Sequence, residues 1–309
     1  MTRFLHAFRT STMSTRISAP RAYFTVVLAS TFLQGSSFVS TKTLLNDMAP
    51  LWIASLRFVL ASLSLLPFVW SVMVRQGIRL RDLPWPQLFV IGSLQTAGVM
   101  AFLNIGMIAT TSSTAAILMA SNPFVVVILA RVFLGEQIAV PAFLGLLLAF
   151  AGVVVCIGGT GPERSGVGQG EVLVMLASCC WAISTVLNKK FDLAISPWVI
   201  TFWQMLVGSA ILAVIATASR QPISLPVTAY HWGALIWLAI PASTGAMGLW
   251  FAALRVGGSV QTSGFLFLCP LFAAIIAFGL KHQVPRWNEV AGGAAIAIGL
   301  YIMSRGRPC

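Results

Sequence analysis

The sequence predicts an all-α integral membrane protein with ten transmembrane helices, arranged as two inverted five-helix repeats. Three observations carry that expectation. The chain of 309 residues is 58% hydrophobic and only 8% charged. Apolar runs of about 20 residues recur from end to end, each long enough to cross ~30 Å of hydrocarbon as a helix. An ungapped internal repeat appears when the chain is shifted along itself by 147 positions. Soluble domains carry about 25% charged residues, and a mean hydropathy of +0.91 leaves no stretch for a separate soluble domain.

Residues 1–21 hold Arg3, Arg9, Arg16 and Arg21, many Ser and Thr, and no acid. This is the composition of a basic cytoplasmic leader, with Met13 as an alternative start, and it also fits a transit peptide. A cleavable signal peptide fits less well, because the run that follows is long and lacks a clear small-residue cleavage site. Breaks at Pro, Gly and charge then divide the chain into ten spans. They run near Ala22 to Leu44, Leu51 to Val72, Gln87 to Ile108, Ser112 to Phe133 and Val140 to Gly159 in the first half. The second half gives Gly170 to Asn188, Pro197 to Thr217, Trp232 to Leu254, Ser259 to Leu280 and Trp287 to Met303. The organisation is therefore a leader (1–21), a first repeat (22–159), a linker (160–169), a second repeat (170–304) and a cytoplasmic tail (305–309).

The excess of 19 Lys+Arg over 7 Asp+Glu does not point to nucleic acid, because the basic residues are strung singly between apolar spans instead of forming one face. Placing both termini in the cytoplasm puts 13 of the 19 basic residues inside and five outside, with Arg57 within a span, as the positive-inside rule favours. A bacterial inner membrane is the expected location.

The repeat aligns Lys42 with Lys189, Pro50 with Pro197, Trp85 with Trp232, Gly98 with Gly245 and Met100 with Met247. It also aligns Pro123 with Pro270, Gly145 with Gly292 and Gly152 with Gly299. Each half has an odd number of spans, so the copies enter the membrane in opposite senses. Secondary transporters use such inverted repeats to build a midplane site that opens to either side.

Within the spans, Ser30, Gln34, Ser37 and Thr41 are spaced four, three and four apart and form one polar stripe on the first helix. Their repeat mates are Ala177, Trp181, Ser184 and Asn188. Such groups face protein or a watered cavity rather than lipid; cavity lining and helix-to-helix hydrogen bonding both account for them. Arg57 is the charge set deepest in a span, seven residues past Pro50, and its mate is the neutral Gln204. It is a candidate to hold an anionic group, or else a brace between helices. Pro123 and Pro270 follow Asn122 and Cys269 at matched mid-span positions and are hinge candidates, with irregular packing as the other reading. Gln95 and Asn104, nine residues apart, point to opposite sides of one helix. Trp250, beside the mate of Asn104, completes the cavity-lining set of Gln34, Ser37, Thr41, Arg57, Asn122, Trp181, Ser184, Asn188, Gln204 and Trp250.

No Asp or Glu lies deep in a span, and His6, His231 and His282 are peripheral, so a buried proton relay has no obvious members. The five cysteines show neither zinc spacing nor a disulfide framework and are assigned no role. No HExxH, P-loop or nucleophile–base set is present, so neither an enzyme, a catalytic residue, a metal nor a cofactor is expected.

The segments QGSSFVSTK (Gln34 to Lys42), PLWIASLRF (Pro50 to Phe58) and SNPFVVVILARVFLGE (Ser121 to Glu136), echoed by CWAISTVLNKK and LCPLFAAIIAFGLKHQ in the second half, resemble the EamA-like members of the drug/metabolite transporter superfamily. The resemblance covers the chain after residue 22 and implies export of amino acids or related small polar metabolites through a central cavity. The second half departs from the pattern, with His282–Gln283 where the first has Gly135–Glu136. Small multidrug relatives rely on a glutamate in the first span, which is absent here, so proton-coupled efflux of hydrophobic cations is disfavoured. The expected partners are a small polar metabolite and the lipid bilayer, with no nucleic acid and with a homodimer left open. A transporter of lipid-linked or nucleotide-linked compounds, or a membrane sensor or enzyme subunit, remain the alternatives.

Overall fold

A computed structural model describes residues 20–134, 140–158, 168–191, 193–253, 265–281 and 286–305. Residues 1–19 of the expected leader, 160–167 of the linker and 306–309 of the tail lie outside this set, as do Gly135–Glu136 and His282–Gln283. Among the described residues every regular element is a helix, and none is a strand.

Helix α1 is Pro20–Leu44 and α2 is Pro50–Gln76. Proline at the first position of α2 needs no backbone donor there, and Gly77 ends the helix in the left-handed region at φ 65°. A short 3-10 turn, Leu80–Asp82, leads to α3, Trp85–Ala109, whose middle, Gly92–Gly98, is π-helical. Helix α4 comes in two pieces, Ser112–Ala120 and Asn122–Leu134, and α5 is Val140–Gly158.

The second half repeats the plan. Helix α6 is Gln169–Phe191, and α7, Pro197–Ala218, again starts on proline. Helix α8, Ala229–Ala253, carries a π segment at Ile240–Gly245. After the 3-10 turn Phe265–Phe267 come α9, Leu268–Lys281, and α10, Trp287–Arg305. Among the described residues, α2, α3, α6, α7 and α8 are the five helices long and apolar enough to cross a membrane. Large apolar side chains such as Trp70, at 61% exposure, and Val214 look outward, as lipid rather than water would favour.

Repeat-equivalent helices pack against each other antiparallel. The start of α2 (Leu51, Ala54) shares a core cluster with the end of α7 (Leu212, Ala216), and the end of α2 (Val69, Met73) shares one with the start of α7 (Val199, Phe202). Glycines bring α5 and α10 into backbone contact. A Cβ on Gly152 would lie 2.6 Å from the Gly292 carbonyl oxygen, and one on Gly299 would lie 2.4 Å from the Gly145 oxygen. Each of these contacts turns into the other under the 147-residue shift, the self-complementary pattern of a two-fold relation. Contacts between different helices are exchanged in the same way. Gly106 of α3 abuts Gly170 and Val174 of α6, while its mate, Ala253 of α8, is buried in one cluster with Tyr23 and Val27 of α1.

Candidate functional site

Arg57 is carried by α2 into the helix bundle and is 8% exposed. Its Nε donates to the Ser243 hydroxyl at 2.7 Å, its Nη1 approaches the Met100 sulfur at 3.9 Å, and its guanidinium carbon lies 5.0 Å from the Phe58 ring centroid. Ser243 in turn donates its own O–H to the Leu238 carbonyl at 2.8 Å, so the hydroxyl oxygen is oriented to accept from arginine. Among the described residues no carboxylate pairs with Arg57. A charged side chain is thus held inside the bundle by a hydroxyl, a thioether and a ring.

Ser243 sits in the π segment of α8, and its repeat mate, Thr96, sits in the π segment of α3. π-helical turns are rare and concentrate at functional sites. Here they recur at equivalent positions of both halves, where small and polar residues (GSLQTAG and IPASTG) let the backbone widen. The α3 segment supplies Gln95, whose side-chain oxygen accepts from Ser184 at 2.9 Å and from Asn188 at 3.2 Å. The mate of Arg57, Gln204 of α7, is buried, and its backbone carbonyl oxygen lies 3.0 Å from where a Cβ on Gly92 of the same α3 segment would stand.

The remaining expected residues are distributed around this centre. Gln34 donates to Ser30 at 3.1 Å, and Ser30 donates to the Ala246 carbonyl of α8 at 2.8 Å, tying α1 to the helix that holds Ser243. Ser37 spends its hydroxyl on the Gln34 carbonyl of its own helix, and Thr41 is buried. Asn122 donates to the Ser178 carbonyl of α6 at 2.8 Å, a bond between helices. Trp181 packs on the cluster of Val99, Leu103 and Leu118, and Trp250 packs on Tyr23, Val27 and Ala253. Pro123 stands second in the restarted piece of α4, directly after the interruption at Ser121. Its mate Pro270 stands third in α9, just after the 3-10 turn Phe265–Phe267.

Three contributors escaped the sequence reading as site residues: Ser243, Met100 and Gln95. The repeat alignment already placed Gly98, Met100, Gly245 and Met247 in register, and small residues flanking a polar one were the available signal. Gln95 and Asn104 do serve different neighbours, since Asn104 donates to the Pro50 carbonyl at 3.0 Å.

A family description of EamA-like transporters matches residues 21–158 and again 168–305. The chain belongs to the EamA-like transporter family. The two matches start 147 residues apart and end 147 apart, the same shift at which the prolines and glycines above coincide. Among its relatives, a transporter of Archaeoglobus fulgidus is 30% identical over 281 residues, covering 90% of this chain and 96% of that one. The transporter YyaM of Bacillus subtilis is 25% identical, covering 90% and 92%. A probable amino-acid metabolite efflux pump of Escherichia coli is 26% identical, covering 87% and 90%. A protein of known crystal structure shares the fold with a TM-score of 0.68 at 17% identity, covering 92% of this chain and 96% of that one.

Proposed function

We propose that this EamA-like protein is a secondary transporter that exports amino acids or related small polar metabolites across a bacterial inner membrane. Ten spans with both termini cytoplasmic carry it, and alternating access occurs at a midplane cavity between the halves. The observation that carries this reading is Arg57, buried with a hydroxyl, a thioether and a ring and, among the described residues, without a carboxylate partner. A charge at the centre of a membrane helix costs at least ~2.5 kcal/mol unless polar partners meet it, and a guanidinium binds a carboxylate through two parallel hydrogen bonds. The antiparallel packing of α2 with α7 and the exchanged glycine contacts of α5 and α10 support a two-fold pair of opposed halves. Gln34, Gln95, Ser184, Asn188 and Gln204 supply neutral hydrogen-bonding groups from α1, α3, α6 and α7 for the rest of a polar solute. The E. coli relative is named for amino-acid metabolite efflux, which fits a zwitterion with a carboxylate.

Counterflow of amino acids in proteoliposomes, read beside protein abundance, tests the reading with Arg57→Lys and Arg57→Gln. Lysine keeps the charge but loses the planar fork, so transport should fall in both variants while insertion survives. Near-normal counterflow in both would make Arg57 a brace and remove the substrate assignment.

A further inference from the structure

A groove of about 300 Å³ runs down the outside of the bundle between α2 and α7, away from Arg57. Its wall is made by Leu63, Leu66, Trp70 and Met73 of α2 and by Trp203 and Leu206 of α7. From Val59 to Met73 it follows α2 for about 21 Å, more than the ~15 Å of hydrocarbon in one leaflet. Leu63, Leu66 and Trp70 are exposed along its rim, so it opens toward the surface that faces lipid.

Two features give this groove a direction. At its far end, past Met73 and Leu80, the exposed Arg75, Arg79 and Arg81 fall within seven positions, against the single carboxylate of Asp82, 3.8 Å from Arg81. Trp203 lies near that end, because its ring stacks edge-on against Trp85 at 4.9 Å, and Trp85 is tied to the loop by donating to the Leu80 carbonyl at 2.9 Å. The Trp203 indole N–H is buried and finds no acceptor among the described residues, and neither does the hydroxyl of Ser62, which is 2% exposed on the same wall. A buried donor without a partner costs free energy that an incoming acceptor recovers.

An apolar channel of leaflet depth, a hydrogen-bond donor near its mouth and three arginines beyond it match, in order, an acyl chain, an ester carbonyl and a phosphate. We propose that this groove is a binding site for one anionic phospholipid, with a chain seated between α2 and α7, an ester carbonyl accepting from Trp203 as the rim side chains part, and the headgroup phosphate held by Arg75, Arg79 and Arg81. Basic residues at the end of a membrane helix attract anionic lipids of the adjacent leaflet. The proposal is independent of what the transporter carries.

The test is native mass spectrometry of the detergent-purified full chain, titrated with phosphatidylglycerol or phosphatidylcholine of identical acyl chains. The wild type should bind phosphatidylglycerol preferentially, at one site. Each arginine near an anionic surface contributes roughly fivefold, so the triple variant Arg75→Gln/Arg79→Gln/Arg81→Gln should lose on the order of 100-fold of that preference. Trp203→Phe, which removes only the N–H and keeps an aromatic ring, should weaken both lipids about fivefold. If the triple variant fails to accumulate, Arg79→Gln alone should show its fivefold share. Equal binding of the two lipids by the wild type, or an unchanged preference in the arginine variants, overturns the proposal. Displacement of the lipid by millimolar glycerol 3-phosphate, which has the phosphate and no chain, would show a phosphate site instead of a lipid groove and would overturn it as well.

Discussion

Gly299→Ala and Gly152→Ala should destabilise the protein by similar amounts, because the repeat turns one contact into the other. A new Cβ at Gly299 would stand 2.4 Å from the Gly145 oxygen and 2.6 Å from the Ala149 nitrogen; at Gly152 it would stand 2.6 Å from the Gly292 oxygen and 2.8 Å from the Ile296 nitrogen. Carbon approaches a carbonyl oxygen to about 3.3 Å at closest, so α5 and α10 must part by roughly 0.7 to 0.9 Å. The Ile296 side chain also stands 2.8 Å from a Cβ at Gly152, but the nearest atom at each site is a backbone oxygen, so no side-chain rotation alone makes room. Overpacking of this kind costs about 1–3 kcal/mol, and helix association in lipid depends on the close approach that would be lost. The assay is the fraction of protein that stays monodisperse on size-exclusion chromatography after a heating series in mild detergent. Gly233→Ala in α8 is the control, since a Cβ there meets nothing within 4 Å. The double variant should cost less than the sum, because the first alanine already separates the helices that the second would push apart. Melting of Gly152→Ala and Gly299→Ala at the temperature of Gly233→Ala, or a strong effect of one and none of the other, would refute both the packing and the symmetry argument.

Two further outcomes follow from single contacts, and a third from the distribution of basic residues along the chain. Ser243→Ala removes the acceptor of the Arg57 Nε; a hydrogen bond to a charged group is worth about 1.5–3 kcal/mol, so counterflow should drop at least tenfold, whereas Ser243→Thr, which keeps the hydroxyl, should retain most of it. Lys42→Met should lower thermal stability by about 1.5–3 kcal/mol, because Lys42 donates to the Met107, Ile108 and Thr110 carbonyls at the end of α3; measured by the same heating series, a loss no larger than that of Gly233→Ala would remove this capping role. A reporter fused after Cys309 should fluoresce as a cytoplasmic fusion and show little alkaline phosphatase activity, and high phosphatase activity would reverse the proposed orientation.

Membership of the helical membrane class was legible in composition alone, since 8% charge over 309 residues cannot solvate a surface of this size in water. The repeat was legible too, because it is a property of order along the chain: prolines and glycines that end, break or closely pack helices leave marks at fixed positions. Arg57 stood out for the same reason, as a charge at a depth where charge is expensive. What Arg57 touches was beyond reach. Ser243 lies 186 positions away, and no spacing rule links two residues that meet only because α8 packs on α2. The π segments were equally hidden. Reading a helix at 100° per residue assumes bonds to the fourth neighbour, and a turn that bonds to the fifth shifts every face beyond it. That shift is decided by packing, when Gly92 meets Gln204 of α7 and Gln95 meets Ser184 and Asn188 of α6. The sequence by itself thus determined which solvent the chain is built for, its two-fold order and the residues too polar to face lipid. Only the tertiary structure decided which of those residues bond to one another and which merely join helices, because hydrogen-bond partners are set by distances between helices, and those depend on side chains from both sides of every contact.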